Sequence, residues 1–218
     1  MKLYFQGGED IKKRDSKEIN EKAFANAVKS PTVLIFPWTE VIEKIEYRTL
    51  MYGYFRELGG GKIDFAELSD SFQRLKEKIE SSDIIYLPGG KTQILIGRIK
   101  ERKISRLLQR YNKVMIGNSA GSLAMCKRYA VIKGQEGEPR TTTEEGIGKV
   151  DFEVTVHYKS AVPELSGQSP DRELRTLSRK MNTKIYAIPE RSALVYDDKK
   201  IEPIGDISVF DKGKKTKL

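Results

Sequence analysis

The sequence predicts an α/β fold in which helices cover both faces of a mostly parallel sheet. Apolar segments of strand length alternate with longer segments whose apolar residues recur every three or four positions. That alternation is typical of βαβ units, which build parallel sheets. In addition, two glycine-containing loops, residues 88–92 and 117–121, each follow an apolar segment. Such loops are expected at the carboxyl edge of a parallel sheet, where these folds bind their ligands.

The predicted strands are short apolar runs bounded by turn residues. They cover residues 2–6, 33–36, 84–87, 114–116, 130–132, 152–156, 184–188, 193–196 and 207–210, with a further short strand near Ile63. Residues 3–7 resemble the recognition sequence of a tag-removing protease, but no affinity tag precedes them, so we interpret residues 2–6 as a strand. The last three strands are separated by turns, which predicts an antiparallel extension of the sheet.

The predicted helices carry their apolar residues at helical spacing. The first has Ile19, Ala23, Ala27 and Val28 on one face and ends at Pro31. The others are centred on residues 50–58, 65–79, 104–111, 120–126 and 171–181. We expect all these elements to form one domain over residues 1–218.

The composition is that of a soluble protein. Charged residues make up 33% of the chain and the mean hydropathy is −0.52. No apolar run approaches the ~20 residues that a membrane helix needs, and no secretory signal is visible. The single cysteine, Cys126, excludes an internal disulfide, which suits a reducing compartment. We therefore expect a cytoplasmic protein without a membrane partner.

The net charge of +9 raises the question of nucleic-acid binding. The basic residues are spread along predicted helix faces, with a local excess in residues 98–113 and in the tail 212–217. They do not cluster with aromatic residues in a known nucleic-acid-binding module. We interpret them as solvated helix faces and a loose chain end. We accordingly expect no nucleic-acid partner, and a chain that is a monomer or a homodimer.

Ser119 lies in a sharp turn between a predicted strand, 114–116, and a predicted helix, 120–126. A nucleophile elbow needs small residues on both sides of the serine, because the backbone folds tightly while the hydroxyl stays exposed. Gly117, Ala120 and Gly121 meet that need. The N–H of Ala120 would then face the developing oxyanion. On this pattern alone, a helix-capping serine in a glycine-bounded turn is an equally good interpretation.

A catalytic serine needs a base, and His157 is the only histidine in the chain. It follows a predicted strand, although a single histidine at a strand end is often structural. A carboxylate should orient the imidazole, and Glu190, just past another predicted strand end, is our choice. An ion pair between Glu190 and Arg191 is the structural alternative. Three other carboxylates compete for the same role: Asp151, Glu153 and Glu164.

The sequence resembles the family of aspartyl dipeptidase (peptidase E) and the related cyanophycinases. The resemblance covers nearly the whole chain and rests on several motifs in the same order. These are an opening strand, Phe36-Pro37-Trp38, Gly89-Gly90-x-Thr92, Gly117-x-Ser119-Ala120-Gly121, His157-Tyr158, Ala161-x-Pro163-Glu164, Arg172 and Ile188-x-Glu190. It implies a three-layer α/β/α sandwich similar to class I glutamine amidotransferases.

The family's triad runs serine, histidine, glutamate along the chain, which assigns Ser119, His157 and Glu190 to these roles. That order differs from the α/β-hydrolases, in which the acid precedes the histidine. In the family the glycine-rich loop faces the nucleophile, so the N–H of Gly90 would be the second oxyanion donor beside that of Ala120.

The resemblance also implies a substrate. Peptidase E cleaves dipeptides with an amino-terminal aspartate, and Arg172 matches the arginine that binds the acidic side chain, with Arg175 close enough to compete. This chain departs from peptidase E at Lys91, where the family has asparagine, and at Asn118, where it has tryptophan. With Thr92, these residues are expected to flank the substrate pocket. Cyanophycinases carry an arginine-rich segment that is not evident here, so the dipeptidase branch is favoured.

The predicted activity is therefore hydrolysis of small peptides by acyl transfer through Ser119, with no metal and no organic cofactor. One histidine and one cysteine leave no plausible zinc site. An esterase or a serine hydrolase of other specificity on the same fold is the first alternative. A non-catalytic, amidotransferase-like binding module is the second.

Overall fold

The computed structural model describes residues 1–39, 45–135, 139–198 and 200–218. The strands in these residues are β1 (Lys2–Gln6), β2 (Thr32–Ile35), β3 (Lys62–Phe65), β4 (Ile84–Leu87), β5 (Val114–Asn118), β6 (Arg128–Val131), β7 (Thr142–Glu145), β8 (Glu153–Thr155), β9 (Ile185–Ala187), β10 (Ala193–Asp197), β11 (Lys200–Ile204), β12 (Ser208–Asp211) and β13 (Lys214–Lys217). The helices are α1 (Lys17–Ala25), α2 (Ile45–Glu57), α3 (Phe72–Ser81), α4 (Thr92–Glu101), α5 (Ser105–Arg110), α6 (Ala120–Met125), α7 (Pro163–Ser166) and α8 (Pro170–Met181).

A seven-stranded sheet with the order β11-β10-β1-β5-β4-β2-β3 forms the centre of the fold. Strands β1 to β5 in this sheet are parallel, and β10 and β11 extend it in the antiparallel direction beside β1. The register pairs Gln6 with Asn118 and Leu87 with Gly117. The carboxyl ends of β1, β4 and β5 therefore meet at one edge, directly before the elbow.

Alternate residues of the parallel strands face two separate cores. Phe5 and Met115 pack in one core with buried residues of α3, α4, α5 and α6. Tyr4 and Ile116 pack in the other with buried residues of α1 and α2. Each fully buried side chain of this size contributes about 1.5–3 kcal/mol. The sheet thus lies between two helical layers, which confirms the predicted α/β fold and the three-layer architecture.

The last third of the chain departs in part from the predicted antiparallel extension. Only β10 and β11 extend the central sheet. Strands β9 and β12 belong to a second sheet with the order β13-β12-β9-β8, in which β8 and β9 are parallel. One face of this sheet packs on α8 through Leu174, Ile185 and Phe210. The predicted loose tail is strand β13, because it pairs with β12.

Several predicted helix boundaries were wrong. Helix α1 ends at Ala25, so Val28 lies beyond it and is 59% exposed. Helix α3 begins only at Phe72, where the hydroxyl of Ser71 accepts the N–H of Arg74 at 3.1 Å and caps the helix. The segment before Tyr111 forms two helices, α4 and α5. Helix α7 and the hairpin of β6 with β7 were not predicted.

None of the helices in the described ranges is both long enough and apolar enough to cross a membrane.

Candidate active site

The turn at Ser119 depends on close backbone packing. Ser119 has φ 48° and ψ −109°, and its N–H donates to the carbonyl of Gln6 at 3.1 Å. A Cβ on Gly117 would lie 2.5 Å from the backbone of Gly121, and a Cβ on Gly121 would lie 1.9 Å from the carbonyl oxygen of Leu87. Only glycine fits at these two positions, so β5 can turn sharply into α6 and leave the serine hydroxyl at the edge of the sheet.

His157 follows β8 and lies against the serine. Its Nε2 atom is 2.7 Å from Ser119 Oγ, across 38 positions of sequence. The residue has φ 51°, and its N–H donates to the carbonyl of Gly7 at 2.9 Å. Gly8 leaves room for the ring, because a Cβ there would lie 2.5 Å from His157 Cε1. The backbone after β1 therefore fixes the orientation of the imidazole.

Glu190 contacts the other ring nitrogen of His157. Its Oε1 atom lies 3.1 Å from His157 Nδ1 and also accepts the hydroxyl of Ser160 at 2.9 Å. With the Nδ1 proton directed at this carboxylate, Nε2 can accept the proton of Ser119. The alternative was an ion pair between Glu190 and Arg191. In the structure Arg191 instead pairs with Asp15 at 3.3 Å.

The environment of His157 favours the neutral imidazole. Burial lowers the pKa of His157 below its ordinary value, while the hydrogen bond and the negative charge of Glu190 act in the opposite direction. The ring can therefore accept a proton near neutral pH. The same carboxylate would stabilise the imidazolium that forms once the proton arrives.

Two backbone N–H groups border the serine. Gly90 has φ +128°, and a Cβ there would lie 2.6 Å from the Cβ of Thr39, whose hydroxyl donates to the carbonyl of Gly89 at 2.8 Å. A Cβ on Gly89 would in turn lie 3.5 Å from that of Ser119. Within the described ranges, the N–H groups of Gly90 and Ala120 donate to no other group. Both can therefore bind an incoming oxyanion.

A cavity of about 150 Å³ opens beside Ser119 and His157. Its wall comes from α4, α6, β6, α7 and the segment before His157, and it consists of Gly90, Thr92, Gln93, Ser119, Leu123, Tyr129, Val131, Gln135, Val156, His157 and Leu165. The amide of Gln135 holds two parts of this wall together, because Nε2 donates to the carbonyls of Leu165 at 2.7 Å and Val156 at 3.4 Å. The cavity is the space in which a substrate group next to the reacting bond can lie.

Residues 4–204 match the family model described as peptidase family S51. The chain belongs to peptidase family S51. This confirms the resemblance inferred from the motifs and supports a peptidase. Among similar proteins are two that are described as uncharacterized peptidases. PM1590 of Pasteurella multocida (strain Pm70) is 23% identical over 62% of this chain and 69% of its own length, and Lmo0363 of Listeria monocytogenes (strain EGD-e) is 22% identical over 63% and 70%.

Two solved structures share the fold of this S51 chain. A Listeria monocytogenes EGD-e protein provisionally assigned as a peptidase E has a TM-score of 0.69 at 19% identity, covering 93% of this chain and 97% of its own. A peptidase from an acI-B1 Actinobacterium has a TM-score of 0.66 at 16% identity, covering 100% and 93%. At these identities the likeness supports the fold.

The residues predicted to bind substrate in this S51 chain do not all lie at the cavity. Thr92 lines it, and Lys91, at the start of α4, is exposed and outside its wall. The side chain of Asn118 is buried on the other side of the sheet, where Nδ2 donates to the carbonyl of Glu9 at 3.4 Å. Arg172 is exposed on α8 and does not line the cavity either. Neither Asn118 nor Arg172 is thus among the described residues that line this cavity.

The backbone from Gln6 to Gly8, at the end of β1, also contacts the site and was not predicted to do so. The carbonyl of Gln6 accepts the Ser119 N–H, that of Gly7 accepts the His157 N–H, and that of Gly8 accepts the Arg191 N–H at 3.2 Å. This short segment thus contacts the neighbourhood of all three proposed triad residues. Two consecutive glycines directly after a buried strand were the available signal, because they permit such close backbone approach.

The described part of the chain contains no group of three histidine, cysteine, aspartate or glutamate side chains arranged to hold a metal ion.

Proposed function

We propose that this S51 chain is a serine peptidase that hydrolyses short peptides by acyl transfer through Ser119. The observation that carries the proposal is the hydrogen-bonded series from Ser119 Oγ to His157 Nε2 (2.7 Å) and from His157 Nδ1 to Glu190 Oε1 (3.1 Å). Ser119 is the nucleophile, His157 the general base and Glu190 the orienting carboxylate. Family membership supports the class of reaction.

In the first half of the reaction, Ser119 Oγ attacks the scissile carbonyl carbon while its proton passes to His157 Nε2. The carbonyl oxygen becomes an oxyanion, which the N–H groups of Gly90 and Ala120 bind. His157 then gives the proton to the leaving amine as the carbon–nitrogen bond breaks, and an acyl-serine ester remains. Water, deprotonated by the same imidazole, hydrolyses this ester and restores Ser119.

For the substrate, we propose dipeptides with an amino-terminal acidic residue. Resemblance to peptidase E supports this class, and Lys91 and Arg172 are the cations offered for the acidic side chain. Both are exposed and neither lines the cavity. An acidic side chain paired with either cation would accordingly bind outside the cavity.

The test is hydrolysis of Asp-Leu, Leu-Leu and Lys-Leu by the purified protein and its Ser119→Ala variant, with labelling of both proteins by a fluorophosphonate. We expect rapid labelling of Ser119 and cleavage of Asp-Leu in preference to the other two, both lost in the variant. Labelling together with equal cleavage of all three dipeptides would overturn the acidic preference alone. Absence of both labelling and cleavage would overturn the peptidase proposal.

A further inference from the structure

Apart from the imidazole of His157, the described residues that line the cavity beside Ser119 include no basic side chain. Leu123, Val131, Val156 and Leu165 provide apolar surface, and the neutral Gln135 uses its amide on the backbone. A carboxylate inside such a space would be desolvated without a cation to pair with, which is strongly unfavourable. The cavity is therefore unsuited to an acidic side chain.

A charged group that touches this wall carries the same sign as an acidic substrate. Glu144 on β7 accepts the hydroxyl of Tyr129 at 3.2 Å and the amide of Gln93 at 2.9 Å, and both donors line the cavity. Its negative charge adds repulsion to the cost of desolvating a second carboxylate nearby. Both the apolar lining of the cavity and the negative charge of Glu144 thus disfavour an acidic group.

The volume of the cavity limits the group it can hold. About 150 Å³ is comparable to an engineered apolar cavity that holds a benzene ring. A side chain between valine and leucine in size fills such a space.

We propose that this cavity is the subsite for the side chain of the residue after the scissile bond, and that it selects an uncharged side chain. The inference rests on the proposed function and deepens it. Lys91 and Arg172, offered above for the amino-terminal acidic side chain, lie outside the cavity, so in a dipeptide Asp-Xaa the remaining side chain, that of Xaa, is the one that enters.

The first experiment measures kcat/KM for Asp-Thr, Asp-Asn, Asp-Val, Asp-Asp and Asp-Lys. We expect the three uncharged residues to be cleaved well and the two charged ones at least about tenfold less well, since an unpaired buried charge is costly.

A charge placed in the wall gives the complementary test. Leu165 lines the cavity and is half-buried, so Leu165→Lys brings a cation to it that can still reach water. Cleavage of Asp-Asp relative to Asp-Val should then rise by about tenfold. Val162→Lys is the matched control, because Val162 is 47% exposed, lies three residues away and does not line the cavity.

Binding to the inactive Ser119→Ala protein, measured by calorimetry, makes the result independent of turnover. We expect Asp-Val and Asp-Thr to bind more tightly than Asp-Asp. Equal binding of Asp-Asp and Asp-Val would overturn the subsite. Selective binding without fluorophosphonate labelling of the parent protein would instead overturn the peptidase proposal and leave the subsite standing.

Discussion

Gly8 lies directly against the imidazole of His157. A Cβ built on Gly8 would be 2.5 Å from Cε1 and 2.7 Å from Nδ1 of that ring, and Gly8 has φ +155°. The adjoining carbonyl of Gly7 accepts the His157 N–H at 2.9 Å. The proposed base can occupy its position only because a residue nearly 150 positions earlier in the chain has no side chain.

The first prediction concerns Gly8→Ala. The added methyl group must displace the ring from Ser119 and Glu190, and a misplacement of about 1 Å can cost roughly 10²-fold in rate. We expect kcat to fall by at least this factor while circular dichroism shows the parent fold. Gly53→Ala in α2 is the matched control, because a Cβ there meets nothing within 4 Å. Parental kcat in Gly8→Ala would contradict the role given to this contact.

A second prediction concerns Glu190→Gln. The amide keeps the size of the side chain but removes the charge that supports the imidazolium and fixes its tautomer. We expect kcat to fall by about 10²–10⁴, within the range seen when a triad carboxylate is neutralised. Ser160→Ala, which removes only the hydroxyl that donates to Glu190 Oε1, should have a smaller effect. A larger fall in kcat for Ser160→Ala than for Glu190→Gln would contradict this prediction.

The third prediction is the pH dependence of kcat/KM. The base must be neutral, so activity should rise with pH as His157 loses its proton. Because burial lowers the pKa of His157, the midpoint should lie below the ordinary value of 6.5, and activity should be constant around pH 7. Glu190 raises this pKa, so Glu190→Gln should move the acidic limb to still lower pH. A midpoint above 7 would contradict the neutral imidazole assigned to the free protein.

A fourth prediction concerns Glu9, which follows Gly8 in the segment after β1. The Tyr54 hydroxyl donates to Oε1 at 2.7 Å, and Asn20 Nδ2 lies 3.0 Å from Oε2. Burial raises the pKa of Glu9 above its ordinary value despite these bonds. The unfolded chain therefore loses this proton first as the pH rises, so the contribution of Glu9 to stability is present at low pH and falls above the ordinary pKa.

Glu9→Gln should remove the fall in stability that the ionisation of Glu9 causes as the pH rises. We expect urea unfolding of the variant to be less dependent on pH between 4 and 7 than that of the parent, with equal or greater stability at pH 7. The control is Glu18→Gln on α1, which is an acidic residue in the first helical turn. Marked destabilisation of Glu9→Gln at pH 7 would show that the ionised carboxylate is needed there.

Local sequence patterns determined most of the central sheet and the turn that carries Ser119. The alternation of buried strands with amphipathic helices is a property of neighbouring residues, and β1 and β4 were predicted at their observed bounds for that reason. The elbow was recognisable because Gly117 and Gly121 have no room for a Cβ, a requirement that appears directly as residue type. Helix ends were predicted less well than strands. The start of α3, which Ser71 caps, depends on one local hydrogen bond.

Only the tertiary structure decided which distant residues meet. Spacing along the chain could not choose among Asp151, Glu153, Glu164 and Glu190, and the fold brings Glu190 to within 3.1 Å of His157 because β8 and β9 are parallel neighbours. It likewise directs Arg172 to solvent, buries Asn118 beneath the sheet edge, and assembles the cavity wall from five separate segments. Which way a side chain faces depends on how its element packs, and that packing is set by the whole core rather than by its own neighbours in sequence.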